Sequence, residues 1–275
     1  MSGLRSLRAV VTALPRAAVA VSGGVDSMTL AFLAGRWLGP RAEMLHAVSP
    51  AVPAAATARV EAHAARHGWR LRLIDAGEFA DPDYLSNPVN RCYFCKRNLY
   101  TAIDAAVAGA GDAVMLSGAN TDDLGDYRPG LDAAREAAVR HPYIEAGIGK
   151  RTIRTIARRF GLADLHALPA APCLASRLQT GLEVTGARLT FVAEAEQVLQ
   201  QRWPQARSLR CRLLHDRVEI QLDPALATTL DPAGRRRLLD DIAVLARDHA
   251  VALPVALTGY RRGSAFVHPP GAGHA

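Results

Sequence analysis

The chain has 275 residues, 49% hydrophobic and 21% charged, the balance of a globular protein with room for one large or two modest domains. Its 33 Lys and Arg against 26 Asp and Glu leave a formal charge of +7, an excess that suits a phosphorylated small substrate as well as RNA. No apolar run is long enough to span a bilayer, and four cysteines in a chain of this length do not make a secreted disulfide scaffold.

In chain order, Leu4, Leu7, Val10, Val11 and Leu14 repeat at helical spacing. The basic opening residues therefore read as a structural helix of a cytoplasmic protein, without the cleavage site of a targeting segment. Alternating patterns then predict strands at 19–22, 44–48, 71–74 and 114–117, with a shorter one near Tyr143 and Ile144. Helices are predicted at 26–38, 54–67, 90–108 and 150–160. This is an α/β pattern: a parallel sheet with helices on both faces, whose ligands bind beyond the carboxyl ends of the strands. The proline-rich stretch 168–172 breaks the alternation. A helix at 187–202, a hairpin from 208–214 and 217–222, a helix at 232–249 and a strand at 255–260 predict a smaller α+β domain. The expected division is 1–170 and 180–267, with 268–275 a frayed tail.

The densest signal is Ser22-Gly23-Gly24-Val25-Asp26-Ser27, between the first strand and a helix. Glycines let the backbone approach a ligand, and open amides at a helix N-terminus hold an anion, so this is a phosphate cradle. It lacks the lysine of a Walker A loop. It resembles the SGGxDS loop of the PP-loop ATP pyrophosphatases, which split ATP between the α and β phosphates. A carboxylate beside a triphosphate is useful as a magnesium ligand, the role expected of Asp26. Gly118-Ala119-Asn120-Thr121-Asp122-Asp123 follows the fourth strand and so faces the same crevice. Asp126-Tyr127-Arg128-Pro129-Gly130 comes soon after, with Arg128 suited to clamp a phosphate or a carboxylate.

Cys92 and Cys95 open a helix with three-residue spacing, which puts both sulfurs on one face. Such a pair reads as a redox couple, half a zinc site or cluster ligands; bulky aromatics between the thiols and the lack of a second pair weigh against the first two. A third thiol, Cys173, stands at the domain junction in Pro172-Cys173-Leu174-Ala175-Ser176-Arg177-Leu178. Three cysteines can hold three irons of a [4Fe–4S] cluster and leave the fourth open. Cys211 alternates with Arg210 and Arg212 and reads as a core cysteine. Lys96 follows the pair, suited to neutralise developing charge. The arginines of the hairpin and of Gly259-Tyr260-Arg261-Arg262-Gly263-Ser264 either converge on a phosphate or lie on a solvent face.

Together these segments resemble the LarE family, ATP-dependent sulfur transferases of nickel-pincer nucleotide synthesis, over nearly the whole chain. The resemblance implies adenylation of a carboxylate of pyridinium-3,5-biscarboxylic acid mononucleotide, pyrophosphate release and conversion to a thiocarboxylate. It assigns catalysis to Asp26, Lys96, Cys173 and Arg177, and ATP to Ser22, Gly23, Gly24, Asp26, Ser27, Gly118 and Asn120. Arg210, Arg212 and Arg261 are expected on the substrate phosphate, Asp26 on Mg2+, and Cys92, Cys95 and Cys173 on a [4Fe–4S] cluster that delivers sulfide. Glu196, on the helix before the hairpin, is brought toward the same site. Members with only the cysteine at the Cys173 position sacrifice its sulfur. The implied assembly is a homo-oligomer, a hexamer, acting on a small nucleotide with neither nucleic acid nor membrane. A tRNA thiolase and an amide-forming ligase are the alternatives from other classes.

Overall fold

A computed structural model describes residues 2–266 other than 110, 126–127, 170–171, 207 and 262. The chain forms two compact units, Met1–Asp81 with Asn90–Ala171 and Pro82–Val89 with Pro172–Ala275. Its first elements are α1 (Ser2–Thr12), β1 (Arg16–Ala20), α2 (Val25–Leu38), β2 (Ala42–Ala47), α3 (Ala54–His67) and β3 (Arg70–Ile74). Next come α4 (Pro82–Leu85), α5 (Arg91–Val107), β4 (Ala113–Leu116), α6 (Pro129–Glu136), α7 (Pro142–Glu145), α8 (Lys150–Arg159) and α9 (Ala163–His166). The remainder is α10 (Gly186–Arg202), β5 (Leu209–Leu213), β6 (Val218–Leu222), α11 (Pro224–Ala227), α12 (Pro232–Asp248) and β7 (Val255–Gly259). Among the described residues no helix is long and apolar enough to cross a membrane.

The first unit is built on a parallel sheet of order β3-β2-β1-β4. Successive side chains of a strand face opposite ways, and here both faces are apolar. Ala17, Val19 and Met44 pack with Leu7 and Val11 of α1, Met28 and Leu33 of α2, and Ile153 and Ile156 of α8. Ala18 and Leu45 pack instead with Tyr100 and Ile103 of α5 and Ala134 of α6. Helices thus cover both faces, as the alternation predicts, an arrangement consistent with the PP-loop fold that the resemblance implies. The strand order reverses between β1 and β4, since the chain leaves β1 toward β2 and returns on the other side. A crevice opens at such a point beyond the strand ends.

The short strand expected near Tyr143 is instead the single helical turn α7. A brief apolar run has no periodicity to separate strand from buried helix, and Pro142 at the first helical position presets a helical φ. Beyond β4, the only described pairing of this segment is an isolated bridge from Leu116 to Arg140.

In the second unit β5 and β6 form the expected hairpin, and β7 pairs with β6 in parallel. Every residue of β6 is buried. Val218, Ile220 and Leu222 alternate with Glu219 and Gln221, so one face of the strand is apolar and the other carries a buried polar layer. The segment 82–89 joins this unit through Asn87, whose side-chain amide donates to the carbonyls of Gln179 (2.8 Å) and Leu182 (2.9 Å). Asn87 sits at φ 53, a left-handed conformation that asparagine tolerates.

Candidate functional site

The loops that follow β1 and β4 occupy the crevice of the first unit. Gly23 has φ 77, and a Cβ there would stand 2.8 Å from both the Cβ and the carbonyl oxygen of Ala56. Only glycine fits that turn. A Cβ on Gly118 would lie 2.7 Å from the Ser27 amide nitrogen, so the loop after β4 presses on the first turn of α2. Gly24 caps α2 without a side-chain hydrogen bond. The first amides of the helix, which have no intrahelical acceptor, are thus left for an anion. Ser22 and Ser27 brace the turn: the Ser22 amide donates to Ser27 Oγ at 3.0 Å, and Ser27 Oγ donates to the Gly24 carbonyl at 3.2 Å.

Asp26 points from this turn toward charged neighbours. Its Oδ2 is 3.8 Å from Lys150 Nζ, while its Oδ1 is buried and has no hydrogen-bond partner among the described residues. Burial raises its pKa above the usual carboxylate range; Lys150 opposes that shift, and Asp123 and Asp122 reinforce it. An orphaned carboxylate oxygen beside other carboxylates fits a hard divalent cation, and Mg2+ is the one that suits phosphates. Asn120 caps the turn Thr121–Asp123: its Oδ1 accepts the Asp122 amide and its own amide donates to Asp123 Oδ2, both at 3.0 Å. Asp122 Oδ2 accepts the Lys150 amide at 2.6 Å, which fixes the start of α8 beside Asp26. Arg128 pairs with Asp123 at 2.9 Å. Asp126 and Tyr127, singled out with it, lie outside the described residues, as does Arg262.

Cys92 is exposed and Cys95 half-buried, one turn apart on α5. The stem of Lys96 packs closely on α6, where a Cβ on Gly130 would be 3.0 Å from Lys96 Cγ. Lys96 Nζ lies 5.9 Å from the centre of the Tyr100 ring. The half-buried Cys173 belongs to the other unit. Two thiols at this spacing have the donor chemistry for iron or zinc; among the described residues no three His, Cys, Asp or Glu side chains gather as a metal-binding group.

In the second unit the remaining expected residues converge. Arg177 is buried, with Nε and Nη2 each 3.0 Å from one oxygen of Glu196, and Nη1 donating to the Pro172 carbonyl at 2.8 Å. Nη1 also reaches the Cys173 carbonyl at 3.2 Å, so Arg177 fixes the backbone that carries the thiol. Glu196 Oε1 accepts the Cys211 amide at 3.2 Å. Cys211 is fully buried, as its alternation predicts, and burial pushes its thiol well above the usual range. The opposite face of β5 is not a solvent face. Arg212 is 5% exposed; it donates to Gln221 Oε1 (2.9 Å) and to the carbonyls of Ser176 (3.3 Å) and Arg261 (3.1 Å). Arg210 lies 5.9 Å from the Tyr260 ring centre, and burial, then Arg177, lower its pKa. The Arg261 amide approaches Gln221 Oε1 at 3.4 Å. Arg177 and Arg212 therefore belong to one buried polar layer with half-buried Arg210 at its edge, while Arg261 is exposed and meets the layer only through its backbone.

Four residues around the Ser22–Ser27 loop escaped sequence reading. His46 is buried; its Nδ1 donates to the Val21 carbonyl at 2.7 Å, which leaves Nε2 to accept from Thr57 Oγ1 at 2.9 Å. It ties the entry of the loop to α3. Arg59 donates to the Gly23 carbonyl at 2.9 Å, and the Tyr143 hydroxyl to the Asp26 carbonyl at 3.1 Å. The fourth is Lys150. For His46 there was a usable signal, a polar residue at the carboxyl end of a strand; the others are brought in by tertiary packing.

The sheet order, the glycine-tight loop and the open helix N-terminus are those of a PP-loop fold, with a crevice whose geometry suits an anion. No protein-family model matches the chain. It is 36% identical over 244 residues to the uncharacterised protein slr1717 of Synechocystis sp., covering 88% of this chain and 87% of that protein. It is 28% identical to the pyridinium-3,5-bisthiocarboxylic acid mononucleotide synthase of Lactiplantibacillus plantarum over 80% of this chain and 79% of the synthase. MJ0830 of Methanocaldococcus jannaschii is 27% identical over 66% of this chain and 68% of its own. The chain belongs to the family of slr1717, and its likeness to the synthase supports a LarE-like family.

Proposed function

We propose that this protein is an ATP-dependent sulfur transferase that makes a thiocarboxylate from a carboxylate of pyridinium-3,5-biscarboxylic acid mononucleotide. The observation that carries the reading is the Asp26 loop, an anion cradle with an orphaned carboxylate oxygen, in a chain 28% identical to a synthase named for the bisthiocarboxylic product. A carboxylate is a poor electrophile; adenylation turns one of its oxygens into part of a good leaving group and releases pyrophosphate. The amides of α2 hold the phosphates, Asp26 holds Mg2+, and Lys150 offsets the charge that collects there. Sulfide then attacks the acyl carbon and AMP departs with its electron pair.

Cys92, Cys95 and Cys173 would hold a [4Fe–4S] cluster, which when bound would supply iron for sulfide chemistry. Arg177 holds the Cys173 backbone in place, and Arg210, Arg212 and Arg261 belong to the phosphate end of the substrate. The active assembly is a homo-oligomer, a hexamer by likeness to the family.

The test is anaerobic reconstitution followed by turnover with ATP, Mg2+, sulfide and the dicarboxylate nucleotide. Pyrophosphate release that depends on the nucleotide, repeated turnover and an intact Cys173 by mass spectrometry are expected. Pyrophosphate release indifferent to the nucleotide rejects the reaction. Loss of the Cys173 sulfur after one turnover replaces the cluster with the sacrificial route. Iron binding and turnover unchanged in Cys92→Ala/Cys95→Ala reject the cluster, and tRNA retained on purification turns the reading toward a thiolase.

A further inference from the structure

In the first unit α1, the end of α2 and the outer face of α8 surround a cleft of about 550 Å³. Leu4, Trp37, Ile156 and Phe160 form its apolar floor. Arg5, Arg8, Arg36 and Arg159 stand around it, all four exposed. Among the described residues no carboxylate lines the cleft, and neither α1 nor α8 contains an Asp or Glu. Among the described residues none of these four arginines has an ion-pair partner. An apolar floor ringed by one sign of charge, with nothing among the described residues to neutralise it, marks an interaction surface.

We propose that this cleft docks a partner protein through a short acidic segment carrying an aromatic or branched aliphatic anchor. The anchor covers the Leu4–Trp37–Phe160 floor, and the acidic side chains pair with the guanidinium forks, which match carboxylates bidentately. The surface is poorly built for single-stranded nucleic acid, which needs open aromatic faces. Phe160 is already flanked by Phe32 at 5.5 Å and by the Arg36 guanidinium at 5.9 Å, and Trp37 is half-buried. Nor is α1 free to lie in a membrane, because Leu7 and Val11 of its apolar face are fully buried in the core. Both α2 and α8 begin at the nucleotide crevice, and the 14 residues of α2 span about 21 Å. A partner seated here therefore leaves the ATP loop open. The inference is independent of the reaction proposed above.

Fluorescence anisotropy with the full-length protein tests it. The probe is a labelled peptide of alternating Asp and Glu interrupted by Phe and Leu; its control has Asn and Gln at the acidic positions. Saturable binding of the acidic peptide, weakened by salt and lowered on the order of tenfold or more in Arg8→Glu/Arg159→Glu, is expected. Arg5→Gln/Arg36→Gln is the second variant, milder on folding, and is expected to weaken binding in the same direction. Absence of acidic-peptide binding, equal binding of the control peptide, or undiminished binding in both variants overturns the proposal. So does preferential binding of a single-stranded RNA oligonucleotide or of phosphatidylserine vesicles, or self-association that the variants abolish.

Discussion

Gly118 lies so close to Ser27 that a Cβ on the glycine would stand 2.7 Å from the Ser27 amide nitrogen and 2.9 Å from its Cα. The neighbour is backbone, which cannot swing aside as a side chain would. Gly118→Ala therefore has to push the loop after β4 away from the first turn of α2. We expect a stability loss of about 1–3 kcal/mol, the usual cost of overpacking, and a larger fractional loss of ATP affinity. Urea denaturation and calorimetric titration with ATP measure the two separately; wild-type affinity in the variant would mean that the contact does not shape the cradle.

Asp26 makes a different prediction, because its charge is a burden to the protein without metal. Its pKa is raised by burial, so between the unfolded value of about 3.9 and the higher folded value the native state binds more protons than the unfolded state. The group therefore penalises stability increasingly as pH rises through that window, and fully above it. Asp26→Asn removes the penalty. The metal-free variant should melt at or above the wild-type temperature at neutral pH while losing Mg2+-dependent ATP binding. A lower melting temperature together with intact ATP binding would contradict both halves.

The strands, the main helices and the loop at Ser22 were legible because their signals are local: alternation, helical spacing and glycine at a strand–helix junction. α3 spans residues 54–67, as the periodicity predicts. Local signals failed at Tyr143, where a two-residue apolar run fits either periodicity. They also say nothing of Lys150, which reaches Asp26 only because Asp122 accepts the amide that begins α8. Arg212 shows the same limit in the second unit. Alternation put it opposite Cys211, but whether that face met water or a polar layer depended on Gln221 and on the carbonyls of Ser176 and Arg261.

Behind the sheet, His63 and His67 sit one turn apart on α3, with Phe32 and Trp69 against them. His63 Nε2 is 2.7 Å from Asp164, while His67 Nε2 is buried with no hydrogen-bond partner among the described residues. Burial, then the neighbouring His63 and Arg66, lower the pKa of His67, and Asp164 opposes them. The unfolded state thus binds more protons than the native state in the window just below about 6.5. Stability should fall as pH drops through that window. His67→Phe, which keeps the ring packing, should flatten this part of the stability profile; a profile identical to wild type would show that His67 does not titrate there.

Arg177 and Glu196 offer the sharpest test of the second unit. Two parallel hydrogen bonds of 3.0 Å join them, and Arg177 is 4% exposed. Glu196→Ala would leave the guanidinium buried and uncompensated, with Arg210 already repelled by it. Breaking such a pair costs about 3–5 kcal/mol. It also removes the acceptor of the Cys211 amide, which has to find another partner in the core. Arg177→Met/Glu196→Met should be less destabilised than Glu196→Ala, since no charge is left stranded. Denaturant midpoints for the two variants and wild type decide the matter. If the double variant is the less stable of the two, the loss comes from packing of the Arg177 stem and not from its charge.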